Sequence, residues 1–560
     1  HIYTFNFKYI IMKNKCLNFL LFVVVAFVSP GLLWAQNQPV KGKVLDEKTK
    51  EALIGVSVLE AGSTSNGTVT DLDGNFSLSV PEGATLRISY VGYLVQEIPL
   101  NGRKSLEVLL KEDTEMLDEV VIVGYGVQKK ATLSGSVTSI GGEKLANTPV
   151  TNVSQGLAGR LPGVVAISNT AEPGYDGATI RIRGVNTFGK ADPLVVVDGV
   201  PGRSLERIDP STIETMSVMK DASAAIYGAQ AANGVIIITT KRGKKGKPTV
   251  NLSYNYGISR PTVIPEMANA SEYATLLNEI DKYAGNKERY TPEDIQKYRD
   301  GSDPWSYPNT DWFKETLKPW SPQTYANATI DGGTDNMTYF VSVSAKTQDG
   351  FYRNSGTKYN QYDLKSNLDL KLNKYINLFM NLTGRMEDRK YPTRSSENIF
   401  RMLMRSKPNM PAYWPNGLPG PDIEFGDNPV VIATDATGYE RDKRYILNGD
   451  FGVNINVPYV EGLTLKATAS LDKNFRFRKI WQTPWTLYSW DGTSMDENNN
   501  PLLVEGKKGF SDPRLRESME DNQNILLSGI INYNRTFAEN HSVNVLAGAE
   551  RITGKGDSFE

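Results

Sequence analysis

Long runs of strictly alternating apolar and polar residues fill the second half of this 560-residue chain. Between Met337 and Lys346, Tyr339, Val341 and Val343 share one face of an extended strand, while threonine and serine side chains share the other. A period of two predicts β-strands. Each run also matches the roughly 9–11 residues that a tilted strand needs to cross a bilayer. Nine such segments lie near residues 248–260, 322–333, 336–347, 358–371, 375–388, 445–457, 462–475, 523–536 and 541–552.

The connections between these segments differ in length. The short links are 332–335, 373–374, 458–461 and 538–540, and the long ones are 261–321, 389–444 and 476–522. Such an alternation places the long loops at one end of the sheet, as in outer-membrane barrels; the link 348–357 is an exception because it is short. The pattern favours a transmembrane antiparallel β-barrel, with a soluble β-protein as the alternative.

A membrane sheet has to close, because an open edge would leave amide groups unpaired in hydrocarbon. Nine strands cannot give the even number that bacterial barrels use. We therefore predict that residues 248–560 form the first, truncated part of a barrel and that the chain is the N-terminal part of a longer protein.

The N-terminus has the order of a secretory signal. Met12 precedes two lysines, an apolar run from Phe19 to Val28, then Ser29-Pro30-Gly31 and a predicted cleavage site after Ala35, although Leu33 is larger than the usual residue there. This run is too short for a membrane helix, which needs about 20 apolar residues. We predict a signal peptide over 12–35, and an upstream non-native stretch over 1–11.

Residues 38–110 are short β-type runs separated by turn signals, which predicts a small β-sandwich. The runs are Val40–Val44, Val56–Glu60, Phe76–Val80, Thr85–Tyr90 and Leu106–Leu110. A linker over 111–130 then joins an acidic stretch to Val120–Val123. We expect these four residues to be an unpaired strand that a partner can extend.

Residues 131–243 contain helix signals as well as strand signals, and this mixture predicts a compact α+β domain. Pro149–Ala158 is a predicted helix, and Ser211–Lys220 is another, capped by Asp209. The predicted strands are Ala178–Arg183, Leu194–Val197 and Val235–Thr240.

Composition excludes several classes of function. The two histidines, His1 and His541, cannot build a multi-histidine metal site, and a net charge of −1 gives no general field for nucleic acid. The segment Gly184–Lys190 has phosphate-loop spacing, but Ala191 stands where a hydroxyl is required. We predict no enzyme activity, no cofactor, no metal and no nucleic-acid partner.

Basic residues of the α+β domain have two interpretations. They could touch an anionic substrate, but we expect them to pair with acidic groups of the surrounding barrel wall, since buried charges need partners. These residues are Arg181, Arg183, Lys220, Lys241 and Arg242.

Several motifs carry a family resemblance. The run Asp118, Glu119, Val120, Val121, Ile122, Val123, Gly124 resembles the TonB box of the SusC/RagA family of TonB-linked outer-membrane proteins. Residues 131–243 resemble the plug domain of that family, and residues 38–110 resemble its carboxypeptidase-regulatory-like domain. The plug resemblance rests on motifs that include Arg181, Arg183, Gly184, Asp198, Gly199, Lys220, Tyr227, Gly228, Asn233 and Gly234.

The resemblance implies a 22-stranded barrel in the bacterial outer membrane, in contact with its lipid and blocked by the plug. It implies import of a nutrient, an oligosaccharide or a peptide, driven by a TonB-type energy-coupling protein in the periplasm. A SusD-like surface lipoprotein would cap the pore. A siderophore or cobalamin receptor, and a surface protein that binds glycans without transport, remain as alternatives.

Seven tryptophans in the predicted loops are candidates for stacking on sugars, although aromatic residues also pack long loops. They are Trp305, Trp312, Trp320, Trp414, Trp481, Trp485 and Trp490.

Overall fold

The computed structural model describes residues 38–560 except 62–65, 91–92, 112–119, 124–125, 130–136, 149–151, 539–540 and the single positions 169, 171, 186, 188 and 221. The predicted signal peptide and the stretch before it lie outside the described residues. The chain divides into two compact units, the first built mainly by the N-terminal domain and the second by the remaining domains. Among the described residues, no helix is both long and apolar enough to cross a membrane.

The N-terminal domain is a sandwich of two small sheets, with strand orders β4-β1-β7 and β3-β2-β5-β6. Its strands are β1 (Gln38–Asp46), β2 (Ser57–Glu60), β3 (Gly67–Val69), β4 (Asn75–Val80), β5 (Thr85–Ser89), β6 (Gln96–Pro99) and β7 (Ser105–Leu110). Alternating apolar residues such as Val44, Val58 and Leu86 are fully buried in its core. The five predicted strands are confirmed as β1, β2, β4, β5 and β7, whereas β3 and β6 are not predicted.

The plug region follows a two-stranded sheet and contains two sheets of its own. The two-stranded sheet pairs β8 (Val120–Val123) with β9 (Gly126–Lys129). The main plug sheet has the order β10-β15-β16-β13-β14, and β11 pairs with β12. These strands are β10 (Val137–Gly141), β11 (Val164–Ser168), β12 (Ala178–Ile182), β13 (Leu194–Val197), β14 (Val200–Pro201), β15 (Ile213–Met219) and β16 (Val235–Thr240).

The helix predicted at Ser211–Lys220 is wrong, because most of this segment is the strand β15. Asp209 does cap a helical turn, accepting a hydrogen bond from the Ser211 amide, but the turn ends at Thr212. β15 then pairs with β10 on one side and β16 on the other. Its β-branched residues suit a central strand, and this pairing outweighs the capping signal.

The prediction of a helix over 149–158 is also wrong for the residues that the structure describes. Residues 149–151 lie outside the described part of the chain, and after them a single 3₁₀ turn covers Gln155–Leu157. A short helix, Gly142–Ala146, and a 3₁₀ segment, Ala222–Ala231, complete the plug. The three predicted plug strands are confirmed as β12, β13 and β16.

The second half of the chain forms a nine-stranded antiparallel sheet, which we call the wall. Its strands follow the sequence, in the order β17-β18-β19-β20-β21-β22-β23-β26-β27. They are β17 (Gly246–Ser259), β18 (Ser321–Gly333), β19 (Met337–Asp349), β20 (Lys358–Lys371), β21 (Ile376–Tyr391), β22 (Gly438–Asn456), β23 (Leu463–Gln482), β26 (Arg514–Phe537) and β27 (His541–Phe559). All nine predicted strands are confirmed. The sheet is open, with β17 and β27 as its edges.

The inner face of the wall is polar and its outer face is apolar, which is the opposite of the arrangement in a soluble protein. The face towards the plug, the inner face, buries polar side chains such as Gln361, Asn367 and Asp450. The outer face exposes apolar side chains such as Leu364 and Leu447. An extended apolar face around a polar interior is the arrangement of a membrane barrel, so the soluble alternative does not hold.

The long connections lie at one end of the wall and form a folded loop layer. They contain the helices Ala270–Tyr283, Pro292–Asp300, Trp312–Thr316, Ser396–Arg405 and Pro429–Ile432, and a hairpin of β24 (Trp485–Ser489) and β25 (Val504–Lys508). A separate apolar cluster, which includes Phe313, Ile399 and Leu487, holds the layer together. The three long links are therefore confirmed, and they fold into regular structure.

Candidate functional site: the plug and its contacts with the wall

The segment 118–124, which we call the coupling segment, is only partly described. Asp118, Glu119 and Gly124 lie outside the described residues. Val120–Val123 is a strand, as predicted, but it is not unpaired, because it forms a sheet with Gly126–Lys129. This sheet has two strands, so within the described part of the chain one edge of Val120–Val123 carries no further strand.

The predicted motif residues Asp198 and Gly199 form the tight turn between β13 and β14, both with positive φ. The Asp198 carboxylate accepts hydrogen bonds from the Thr240 amide at 2.9 Å and the Thr240 hydroxyl at 2.7 Å. It also faces the Lys365 ammonium of the wall at 3.5 Å. Burial opposes its charge, but Lys365 and Thr240 outweigh burial and hold the pKa of Asp198 below its ordinary value. The turn is therefore anchored to the wall as an ionised group.

The five basic residues predicted to pair with the wall divide into two groups. Arg242 meets the expectation: it donates to the Asp369 carboxylate at 2.6 Å and the Asn381 side chain at 3.2 Å, both on the wall. Lys241 contacts the wall through its backbone carbonyl, which accepts a hydrogen bond from Asn367.

For the other three basic residues, the described contacts lie within the plug. Arg181 corrects the prediction, because its acidic partner belongs to the plug and not to the wall. Arg181 pairs with Asp192 at 2.6 Å. Lys220 donates to the Thr138 hydroxyl at 2.7 Å and to the Pro162 carbonyl. The amide of Arg183, a residue with positive φ before Gly184, donates to the Gly163 carbonyl. These residues stabilise the plug's own fold.

The remaining motif residues also shape the plug. Gly228 and Gly234 adopt positive φ, and a Cβ atom at Gly234 would lie 2.9 Å from the Ile182 side chain. Asn233 donates to the Lys190 carbonyl at 2.9 Å, and Tyr227 packs on an apolar cluster of the plug.

The strongest anchor, Arg203, is missing from the sequence prediction. Its guanidinium contacts two wall carboxylates: its nitrogens lie 2.5 and 3.1 Å from Asp450 oxygens and 2.6–3.2 Å from those of Asp472. Burial works against the charge, but both carboxylates outweigh it and raise the pKa of Arg203 above its ordinary value. The alternation does place Asp472 on the polar face of β23, but no sequence signal connects it to Arg203, 269 residues away.

A second anchor, the plug segment 172–177, is also missing from that prediction. The Tyr391 hydroxyl of the wall donates to the Pro173 carbonyl at 2.6 Å, and its ring stacks on Tyr175 with centroids 5.1 Å apart. The Arg389 guanidinium lies over the Tyr175 ring at 5.1 Å. Gly174 fits between these groups, because a Cβ atom there would lie 2.8 Å from the Tyr391 hydroxyl.

Plug residues 207–209 make a third set of contacts. The Gln361 side chain donates to the Arg207 carbonyl at 2.9 Å, and the Tyr325 hydroxyl donates to the Asp209 carboxylate at 2.6 Å. Arg207 itself pairs with Asp176 of the plug at 2.6 Å, and both side chains are buried. These contacts, like those of Arg203, are polar.

Among the described residues, the buried apolar clusters of the plug contain no wall residue. The buried members of the two plug clusters all lie between Ile140 and Ile238. The plug therefore keeps its own core and meets the wall through hydrogen bonds, ion pairs and ring stacking.

Comparison with known proteins gives matches to two domain families. Residues 129–235 match the TonB-dependent Receptor Plug Domain, and residues 40–122 match the CarboxypepD_reg-like domain. TonB-dependent receptor SusC of Bacteroides thetaiotaomicron is 33% identical over 459 residues, which cover 76% of this chain and 43% of that protein. TonB-dependent receptor P3 of Formosa agariphila is 29% identical over 554 residues, 96% of this chain and 50% of that protein.

The chain belongs to the SusC/RagA family of TonB-dependent receptors. The solved RagAB peptide importer in its open-open state has the same fold, with a TM-score of 0.64 and 23% identity over 79% of this chain and 49% of that one. Receptors of this family are outer-membrane β-barrel proteins, so the predicted location is confirmed. The chain spans about half the length of the curated relatives it matches.

The loop tryptophans of this SusC/RagA receptor mostly pack the loop layer. Trp312, Trp414 and Trp485 are buried, and each indole N–H donates to a backbone carbonyl of another loop segment. Trp305 stacks on Trp414 at 5.6 Å. Trp320 is about half exposed, with the Arg260 guanidinium over its ring. Packing thus accounts for the three buried tryptophans.

Proposed function

We propose that this chain is the plug and front part of the wall of a TonB-dependent nutrient importer. The substrate is an oligosaccharide or a peptide, and a SusD-like lipoprotein caps the pore outside. SusC and the RagAB peptide importer, which share this family or fold, support the proposal. These relatives are receptors and an importer, so we further propose that this chain carries no catalytic centre.

One observation carries the proposal: the plug has its own apolar core and polar contacts with the wall. Pulling an apolar interface apart in water would expose hydrophobic surface, which costs a free energy of about 25 cal/mol per Å². Polar groups released from the wall instead regain hydrogen bonds to water, so the net cost of each is only about 0.5–1.5 kcal/mol. Such a plug can shift or leave under load without unfolding.

The coupling segment is the proposed point of pulling. A strand of the periplasmic coupling protein would add to the second edge of Val120–Val123 through backbone hydrogen bonds. Force applied there would reach β10, the first described strand of the main plug sheet.

Proline at the centre of this strand tests the proposal. Val121→Pro removes one backbone donor and fixes φ, so we expect nutrient uptake to be lost while surface binding of the ligand is retained. Val121→Thr is the matched control, because it keeps the donor and the β-branched shape, and its uptake should stay normal. Normal uptake by Val121→Pro would contradict the proposal.

The substrate class needs a separate test. Deletion of the whole receptor should abolish growth on one defined class, oligosaccharide or peptide, while growth on iron chelates and cobalamin stays unchanged. Loss of growth on the chelates alone would instead identify a siderophore receptor.

A further inference from the structure

Three arginines lie close to one carboxylate on the inner face of the wall. Arg444 of β22 and Arg476 of β23 are direct cross-strand neighbours, and Arg478 of β23 lies opposite Asp442 of β22. The Asp442 carboxylate accepts two hydrogen bonds from Arg476, at 2.9 and 3.0 Å, and one from Arg444 at 3.1 Å. We call Arg444, Arg476 and Arg478 the arginine cluster, and Asp442 its central carboxylate.

The arginine cluster is on the same face as the residues that hold the plug. Asp450 of β22 and Asp472 of β23 contact Arg203 of the plug, so their side chains are on the inner face. Side chains an even number of positions apart share one face of a strand, and this spacing separates the cluster from the two aspartates. The Tyr175 hydroxyl of the plug donates to Asp442 at 3.3 Å. The cluster therefore borders the plug at the second anchor.

The cluster has more hydrogen-bond donors than its acidic neighbours use. A guanidinium carries five N–H donors. Arg478 forms two hydrogen bonds with Glu440, and Arg476 forms one with Glu520 besides its two with the central carboxylate. Arg444 forms one hydrogen bond, to the central carboxylate. More than half of the N–H groups of the cluster thus have no acceptor within the described part of the chain.

The cluster is accessible on this face. The exposed fractions of its side chains are 21% for Arg476, 28% for Arg444 and 37% for Arg478, whereas the neighbouring Arg389 is 3% exposed. Glu520, one of the acidic partners, is 42% exposed. Ion pairs exposed to this degree contribute about 0–1 kcal/mol each. A carboxylate of a ligand can therefore replace such a partner at little cost.

We propose that the arginine cluster is a subsite for a carboxylate of the imported substrate. Guanidinium groups bind carboxylates through two parallel hydrogen bonds, a geometry that a neutral hydroxyl group does not match. The central carboxylate holds Arg444 and Arg476 in place before the ligand arrives, which lowers the ordering cost of binding. The ligand carboxylate accepts hydrogen bonds mainly from Arg444 and Arg478, which have the fewest partners.

This inference rests on the proposed function and narrows its substrate class. A substrate that passes between the plug and the inner face of the wall meets the arginine cluster. Uronic-acid sugars and acidic peptides both carry the required carboxylate, so the subsite suits either source. A neutral oligosaccharide has no group that uses it.

The test compares matched acidic and neutral probes by calorimetric titration of the purified whole receptor. One pair is tetragalacturonate and its methyl ester, and the other is an amidated peptide of alternating alanine and aspartate and its asparagine analogue. We expect the acidic form of one pair to bind about tenfold more tightly than its neutral form, because hydrogen bonds between charged groups are the strong ones. The pair that shows the preference identifies the source. No preference in either pair, including no binding, would overturn the proposal.

Two variants locate the subsite. Arg444→Gln with Arg478→Gln should abolish the preference for the acidic probe and leave the affinity of the neutral probe unchanged. Lys479→Gln is the matched control, because Lys479 follows Arg478 on the same strand but belongs to the outer face, and it should keep the full preference. Arg478→Lys preserves the charge and loses the planar fork, so it should reduce the preference even if the double variant folds poorly. An unchanged preference in Arg478→Lys and in a folded double variant would overturn the proposal.

The import proposal and this subsite can fail separately. Growth on a neutral oligosaccharide that is lost on deletion of the receptor, together with no acid preference, would overturn the subsite and leave import intact. Acid preference that depends on the cluster, together with normal uptake by Val121→Pro, would support the subsite and contradict the coupling mechanism.

Discussion

Single charged residues hold the plug to the wall, and Arg203 shows what they contribute. Removing one partner of a buried ion pair costs about 3–5 kcal/mol, yet replacing the whole pair with apolar groups is often neutral. The contacts of Arg203 with Asp450 and Asp472 therefore add little net stability over an apolar interface. They fix one position of the plug and allow it to be released into water.

Gly174 offers a sharp test of the second anchor. Alanine at this positive φ costs about 1–2 kcal/mol from backbone conformation alone, and its Cβ atom would also lie 2.8–2.9 Å from Tyr359, Tyr391 and Arg389. We expect Gly174→Ala to loosen segment 172–177, measured as faster hydrogen exchange there. Gly159→Ala is the control, because Gly159 has a similar φ and an empty Cβ position. Equal effects of the two changes would contradict the packing described here.

Glu172 should make the same segment sensitive to pH. Burial, reinforced by Glu440 and opposed by a hydrogen bond with Ser396, raises the pKa of Glu172 from 4.5 to about 7. The folded state therefore holds a proton that the unfolded state releases, and stability falls as pH rises from about 4.5 to 7.

We expect the protection factors of the amides in 172–177, which are exchange rates corrected for the pH dependence of intrinsic exchange, to be higher at pH 5 than at pH 8. Glu172→Gln should remove this difference, and Glu143→Gln, a change at an exposed plug glutamate, should not. A pH difference that persists in Glu172→Gln would refute the assignment to this carboxyl.

At the level of elements, period-two alternation predicts all nine wall strands, because a strand with one face in lipid repeats its pattern along its whole length. It also predicts five of seven sandwich strands. The ends of the wall strands are less predictable: β26 begins at Arg514, nine residues before the predicted start. Beyond the membrane both faces meet polar surroundings, so the alternation disappears while the pairing continues.

The wrong helix prediction at Ser211–Lys220 and the missing prediction of the Arg203 contacts have the same cause. β15 is a strand because β10 and β16 flank it, and Arg203 finds its partners on strands about 250 residues away. Local propensity and spacing carry no information on such long-range pairing. Only the residue type, a charge that has to be compensated when buried, is visible in the sequence.

The reversed polarity of the wall is testable at Leu447. This residue is 51% exposed on the outer face of β22. If that face contacts hydrocarbon, Leu447→Arg should destabilise the folded protein in lipid vesicles by roughly 2–4 kcal/mol. Tyr459→Arg, in the turn between β22 and β23, is the control and should change stability by less than about 0.5 kcal/mol. A neutral Leu447→Arg would indicate an aqueous outer face.

At the scale of the whole molecule, the unit that follows the sandwich contains three bodies. The plug and the loop layer have apolar clusters of their own, and the wall has lipid-facing side chains in place of a core. Polar contacts join the plug to the wall. This separation supports the proposed movement of the plug within the wall during import.

A reversible crosslink between plug and wall tests that claim most directly. The Asn367 side chain of β20 donates to the Thr240 hydroxyl of β16 at 2.9 Å, so Thr240→Cys with Asn367→Cys places two thiols across the interface. The control, Ile167→Cys with Thr179→Cys, joins residues paired within the plug. With disulfides formed, uptake by the whole receptor should stop in the first variant and return on reduction, while the control should import in both states. Full uptake with the plug crosslinked to the wall would contradict the account.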